Sequence, residues 1–329
     1  MILDFDDSCW TETNADWQRS LITLLIELQR FELHSVLAKH QAMLGWCTVH
    51  LPLFRDYYRT RLMSAQNRST SLHIFISPQG GQEVLGPPPW ELSAAGAADI
   101  VNRPLRLVLE NDESDRCFLE STVSSFSTWC TRSWLVPEMG GGSAMGAKIK
   151  AAGANTVDRW RTFFVFDSDR LHPSELAVGW APPRGDGCQG HQFEQHCADI
   201  PLKRWHRLER RSIENYLPDV VLQPLNPNLT ATLFSNAVGT MAHFYNMKQG
   251  LRGDGVSSGD PKDLEKKLVR ASRSQGMWTG LSQNEVKHLE PGFGKDVAEE
   301  FKNVPKNFSW SLPVRTEMNR LADALQDAM

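Results

Sequence analysis

Arg161-Thr-Phe-Phe-Val-Phe-Asp-Ser-Asp-Arg170 is the stretch from which the fold is read. Phe163 to Phe166 is an unbroken apolar run bounded by polar residues, the pattern of a strand buried on both faces of a parallel sheet. It stops on two acids one residue apart. Side chains on a strand repeat every second residue, so Asp167 and Asp169 are expected to project to the same side. Two carboxylates held side by side repel unless a proton or cation lies between them. Hard oxygen ligands at a strand end suit Mg²⁺ or Mn²⁺. The first expectation is therefore a metal site at the carboxyl edge of an α/β sheet, where open sheets of this kind hold their ligands.

Upstream, Leu105 to Leu109 is apolar except for Arg106 and runs straight into Glu110. The segment from Asn111 reads as a turn, with Ser114 or Asp115 capping a helix that carries Phe118, Leu119 and Val123. Trp134 to Val136 is a second strand candidate, followed by a turn at Gly140-Gly-Gly142 and a helix from Ala144 to Ala152. Strand, helix, strand, helix, strand predicts a parallel, doubly wound sheet. The Gly140–Gly142 turn has two readings: backbone N–H groups presented to a phosphate at a helix start, or a plain tight turn.

The remainder is less patterned. Residues 1–14 read as a loose polar lead-in. Trp17, Leu21, Leu24, Leu25, Leu28, Phe31, Leu33, Val36 and Leu37 recur at helical spacing from Asp16 to about Met43, with Asn14 or Asp16 as the cap. A second helix is expected from Leu53 to Met63, and a weak strand at 72–76. Gly and Pro from Gln79 to Pro89 mark a loop. Residues 172–200 look like a long loop. Beyond Asn228, helices are expected at 231–249, 261–272, 294–301 and 314–328. This divides the chain into a mostly helical N-terminal region (1–100), an α/β domain (101–225) and a helical C-terminal region (226–329).

The chain has 329 residues, 41% hydrophobic and 22% charged, with a net charge of −4, which fits a globular protein but no broad polyanion-binding surface. Six scattered cysteines read as reduced cytoplasmic thiols, and no apolar run reaches the roughly 20 residues of a membrane span. Cys188, His191, His196 and Cys197 form a competing zinc signal, weakened because adjacent His196 and Cys197 would share ligation with strain.

A strand ending in Glu110, a Gly-rich turn and a strand ending in Asp167-Ser-Asp169 occur in the order that resembles the TOPRIM domain, the metal-dependent catalytic fold of topoisomerases, primases and OLD-family nucleases. Arg210-Arg-Ser-Ile-Glu-Asn-Tyr-Leu217 is similar to a segment of the OLD-like branch and its relatives in bacterial anti-phage systems. The resemblance covers about residues 104–220. It implies a TOPRIM-like parallel sheet flanked by helices and a nuclease acting on DNA or RNA. It further implies a toxic effector held inactive by a partner ATPase, with self-association possible through the flanking regions. Asp167 and Asp169 would hold a metal, Glu110 would share it or act as general base, and Glu214 would ligate a second ion. Arg170, Arg210 and Arg211 would clamp backbone phosphates, with Lys148 adding charge. The family has Gly after its Glu, where this chain has Asn111; Glu110 is preferred over Asn111 for the acid position because it terminates the apolar run and Asn tolerates a left-handed turn. No Gly-x-x-x-x-Gly-Lys-Ser/Thr is present, so no recognisable ATPase lies in the chain. Rival readings are a non-catalytic scaffold with this fold, and a primase or topoisomerase subunit; none of Tyr57, Tyr58, Tyr216 and Tyr245 has a nucleophile context.

Overall fold

Two parallel sheets carry the chain. The computed structural model describes residues 1–31, 34–65, 73–83, 88–184, 187–200, 204–254, 273, 277–278 and 280–329. The first sheet comprises β1 (Ile2–Phe5), β2 (Ser35–Leu37), β3 (His73–Gly81) and β4 (Trp90–Leu92), in the order β2-β1-β3-β4. Helices α1 (Ala15–Phe31), α2 (His40–His50), α3 (Arg55–Ala65) and α4 (Ala94–Val101) accompany it.

Three expectations are corrected here. The lead-in at 1–14 contains β1, an inner strand paired with both β2 and β3. Its four residues are too short to show periodicity, and the acids at 4, 6 and 7 disguise it. The single helix expected from 16 to 43 is instead α1, β2 and α2. The N-terminal region is therefore α/β and not mostly helical. Pairing of Leu3 with Val36 overrides the local helical spacing. The cap at Asn14 holds: its Oδ1 accepts from the N–H groups of Asp16 and Trp17. The helical stripe also holds, with Trp17, Leu21, Leu24, Leu25 and Leu28 buried against the first sheet's core.

The second sheet comprises β5 (Leu105–Leu109), β6 (Leu135–Met139), β7 (Thr162–Phe166) and β8 (Trp205–Arg207), in the order β6-β5-β7-β8, again all parallel. Between them run α5 (Asp112–Thr122), α6 (Phe126–Thr131), α7 (Gly142–Gly153), α8 (Thr156–Arg161) and α9 (Gln189–Ala198). Every residue of β7 is buried, as its composition requires. Alternation splits the sheet's side chains between two cores. Leu105, Leu107, Leu109, Phe163 and Val165 pack with α5 and the C-terminal helices. Val108, Phe164 and Phe166 pack with Met145 and Ile149 of α7 and Phe193 of α9.

Helix α9 lies in the stretch expected to be a loop. Only Phe193 and Cys197 form its buried apolar face, too thin a stripe to stand out among polar neighbours. At the C-terminus, Leu312–Ala328 is a helix as expected, burying Val314, Met318, Leu321 and Leu325. The helices expected at 231–249 and 294–301 are shorter: Pro227–Leu233 with a 3-10 turn at Gly239–Phe244, and a 3-10 turn at Val297–Asn303. The helix expected at 261–272 lies outside the described residues. No helix among the described residues is long and apolar enough to cross a membrane, and none of the six cysteines is in a disulfide.

In the second sheet the chain leaves β5 for β6 on one side and returns for β7 on the other. The carboxyl ends of β5 and β7 therefore flank a topological switch point, where such sheets hold ligands. Phe163, fully buried on β7, tests whether this strand is the core that fixes that edge. Phe163→Ala is expected to cost about 3–5 kcal/mol, measured as the difference in urea unfolding free energy at equal slope.

Candidate active site

Glu110 directly follows β5 and Asp167 directly follows β7, on strands in register at Leu109 and Val165. The backbone N–H of Asp167 donates to Glu110 Oε1 at 2.8 Å, so the two acids meet at one edge. Asn111, the alternative for the acid position, is the extended N-cap of α5 with φ −130° and no side-chain capping bond. It does not make the expected left-handed turn. Asp167 Oδ1 accepts the N–H of Ile213 at 3.0 Å, tying this edge to the Ile-Glu-Asn-Tyr segment.

That segment is a 3-10 turn, Ile213–Tyr216, closed by a reciprocal cap between Ser212 and Asn215. It carries Glu214 inward, only 2% exposed. Lys248 Nζ lies 2.8 Å from Glu214 Oε1, whereas Glu214 Oε2 is buried with no hydrogen-bond partner among the described residues. Glu317 of the C-terminal helix holds the segment from behind: its oxygens accept from Tyr216 Oη at 2.7 Å and from the N–H of Glu209 at 2.8 Å. His206, 3.2 Å from the same carboxylate, is thereby structural.

Asp115 is a fourth acid at this edge. It sits in the first turn of α5, is buried, and its Oδ2 accepts the N–H of Asn111 at 3.0 Å. On the sequence it stood only as a possible cap. Lys248 was missed altogether: it lies at the end of the stretch expected to be one helix, and its reach to Glu214 depends on the shorter helix and turn found there instead.

Burial pushes the Glu110 carboxyl up to about 7; the N–H of Asp167 opposes the shift, and the charges of Asp169 and Asp115 add to it. Asp115 is pushed up to about 6, chiefly by burial, with the charge of Glu214 adding. Asp167 is held well above the usual carboxylate range by burial, then by Glu110 and Glu214. Removal from water is the larger cause in each case, and repulsion among the neighbouring acids adds to it.

Asp169 takes a different direction from the one expected. The strand ladder ends at Phe166, so two-residue alternation no longer governs. Ser168 is fully buried, its Oγ donating to the carbonyl of Arg210 at 2.6 Å, and Asp169 adopts a left-handed backbone with φ 52°. Its Oδ2 accepts the N–H of Gly190 at the start of α9, at 2.8 Å, whereas Asp167 turns to Ile213. A Cβ at residue 190 would lie 2.6 Å from the Ser168 carbonyl oxygen, so only glycine lets α9 reach this loop.

Four side chains expected to meet phosphate have protein partners. Arg170 donates to the carbonyls of Glu175 and Leu208, and Arg210 to that of Asn215 while lying over the Tyr216 ring. Arg211 forms a two-pronged pair with Asp254 at 2.8 Å per contact. Lys148 contacts Glu138 at 2.5 Å and the carbonyl of Met139 at 2.6 Å. Of the four, Arg211 lines the cleft beside Asp169. The Gly-rich stretch is a tight turn whose first two amides are already used. Gly140 N–H donates to Leu109 O and Gly141 N–H to Glu110 O.

Among the described residues, no group of three or more Asp, Glu, His or Cys side chains already surrounds a point where a metal ion could sit. The Cys/His set is split by its own helix. Cys188 caps α9 beside the acids, whereas Cys197 is buried among Phe164, Phe166 and Phe193.

Glu110 and Asp115 have raised values in the folded state, so their stabilising protons are present below the ordinary carboxylate values, 4.5 and 3.8. That stability is lost as pH rises through about 6 and about 7. The urea midpoint of EDTA-treated protein should fall steadily from pH 5 to about pH 8, and Glu110→Gln should flatten the upper part of the curve. A flat profile in the native protein would contradict the burial assigned to these acids. No family model, curated protein or solved structure matches this chain.

Proposed function

We propose that the carboxyl edge of β5 and β7 is the catalytic centre of a TOPRIM-like, metal-dependent nuclease that hydrolyses phosphodiester bonds in DNA or RNA. The observation that carries this reading is the gathering of Glu110, Asp115, Asp167 and Glu214, from three separate segments, at the switch point of a parallel sheet. Bringing together four acids, Asp115 and Glu214 buried and Glu110 and Asp167 half-buried, costs stability that no packing advantage explains.

The donor set suits a hard divalent cation. Mg²⁺ needs only one or two protein carboxylates and keeps its remaining waters, so a closed cage of three acids is not required. The buried, partnerless Oε2 of Glu214 is an acceptor waiting for a cation or donor. Asp167 and Glu214 would hold Mg²⁺ or Mn²⁺, with Asp169 and Glu110 at its margin. When bound, the ion supplies neutralising charge for the phosphoryl oxygens. Glu110, with a value near 7, is suited to take a proton from the attacking water at neutral pH. Its orientation is fixed by the N–H of Asp167. Lys248 places an ammonium beside Glu214, where it limits repulsion before metal arrives. The role of toxic effector in a bacterial anti-phage system, a controlling ATPase partner, self-association and a cytoplasmic site follow from the sequence resemblance alone and belong to the same proposal.

The Lys248–Glu214 pair also favours a second reading: the lysine permanently replaces the metal, and the fold serves as a non-catalytic scaffold. Two measurements separate the readings. Purified protein, alone and with its neighbouring gene products, is incubated with plasmid, single-stranded DNA and total RNA in Mg²⁺ or Mn²⁺. The nuclease reading expects cleavage abolished by EDTA and reduced about 100-fold or more by Glu110→Gln or Asp167→Asn. Absence of cleavage under all these conditions would sink it. Calorimetric titration with Mn²⁺ gives the second measure. Lys248→Met should tighten binding about tenfold, the size of a single pKa-unit interaction, if lysine and metal compete for Glu214. Undetectable Mn²⁺ binding by both proteins favours the scaffold.

A further inference from the structure

Beside the acids lies a cleft of about 430 Å³ walled by Asp169, Leu171, Gln189, Gln192, Arg211 and Arg273. Asp169 is its link to the proposed centre: it lines the cleft two residues beyond Asp167, and its charge acts on Glu110 and Asp167. Its size is at the low end of the roughly 300–1,000 Å³ typical of small-molecule sites. That is room for one nucleotide unit and not for a base pair within a duplex.

The charges of the cleft are internally balanced. Arg211 is paired with Asp254, and Arg273 forms a buried pair with Glu175 at 2.8 Å while donating to the carbonyls of Asp169 and Gly187. Asp169 itself contributes negative charge. A phosphate therefore gains little by entering. The remaining recognition groups are neutral: Gln189 and Gln192, three residues apart on α9 and both exposed, with Leu171 as an apolar surface; Gln189 Nε2 donates to the carbonyl of Gly142 at 3.4 Å, which leaves Gln192 as the principal amide for a ligand. The Gln192 amide has no hydrogen-bond partner among the described residues, and an amide offers both donors and an acceptor. Amide groups beside an apolar wall match the edge and face of a nucleobase. An enzyme acting on a nucleotide within a duplex must first take its base out of the stack, and a base already unpaired enters at the least expense.

We infer that this cleft receives a single unpaired nucleobase next to the scissile phosphate, so the substrate class is single-stranded nucleic acid or the unpaired part of a folded one. The inference rests on the nuclease reading above and narrows it.

The test uses full-length protein in Ca²⁺, with fluorescence anisotropy of labelled single strands of DNA and RNA and of the matching blunt duplexes. Single strands should bind at least about tenfold more tightly than duplex, and Gln192→Leu should lose about tenfold in single-strand affinity. Gln195→Leu, on the same helix but outside the cleft, should bind as the native protein does. A DNA–RNA difference identifies which single strand is preferred and supports the inference either way. Equal affinity for single strand and duplex, or an unchanged Gln192→Leu, overturns it. If Glu110→Gln still abolishes cleavage in that event, the nuclease reading survives alone. Failure of every nucleic acid to bind overturns the inference and removes its footing as well.

Discussion

The hydrogen bond from the Asp167 amide to the Glu110 carboxylate joins the ends of two neighbouring parallel strands, and the arrangement around it exists to tolerate what that bond brings together. Two acids on adjacent strand ends, with Asp115 and Glu214 closing in, create a concentration of like charge that a folded chain would ordinarily avoid. Each acid is restrained by backbone N–H groups or a lysine. Asp167 is held by Ile213, Asp115 by Asn111 and Glu214 by Lys248. These contacts favour the ionised forms, but burial outweighs them for Glu110, Asp115 and Asp167.

The supporting shell explains why so much of the chain converges on a small edge. Glu317 reaches from the C-terminal helix to Tyr216, Glu209 and His206 and fixes the turn that presents Glu214. Burial alone would push the Glu317 carboxyl up, but its three hydrogen-bond partners bring it below its ordinary value, so it stays ionised as an anchor. Arg170, Arg210 and Arg211 act on this same scaffold. Their guanidinium groups brace carbonyls, an aromatic ring and Asp254, so they shape the site through geometry more than through free positive charge. The positive charge near this edge is therefore already committed within the protein.

Both sheets follow one order, with the first strand inside and the second at an edge. Only the second carries acids directly after both strands at its switch point. In the first, Asp6 follows β1 but Ser77 lies within β3, so the same topology does not assemble the same chemistry. Fold and site are separable here, and the site depends on which residues occupy two loop positions.

Strong local patterns were legible in the sequence. The β7 run, the β5 run ending on Glu110, the stripe of α1 and the C-terminal helix each contain enough apolar residues at one period to declare themselves. The order of the candidate acids was equally legible, as was their placement at strand ends. Other features were decided only when distant segments packed. β1 is too short to be seen without its two partners, α9 is too polar, and the divergence of Asp169 from Asp167 follows from the ladder stopping at Phe166. The surroundings of Asp115, Lys248 and the arginines were decided by burial and by which carbonyl or carboxylate lay within reach, properties of three-dimensional neighbours that periodicity along a chain does not encode.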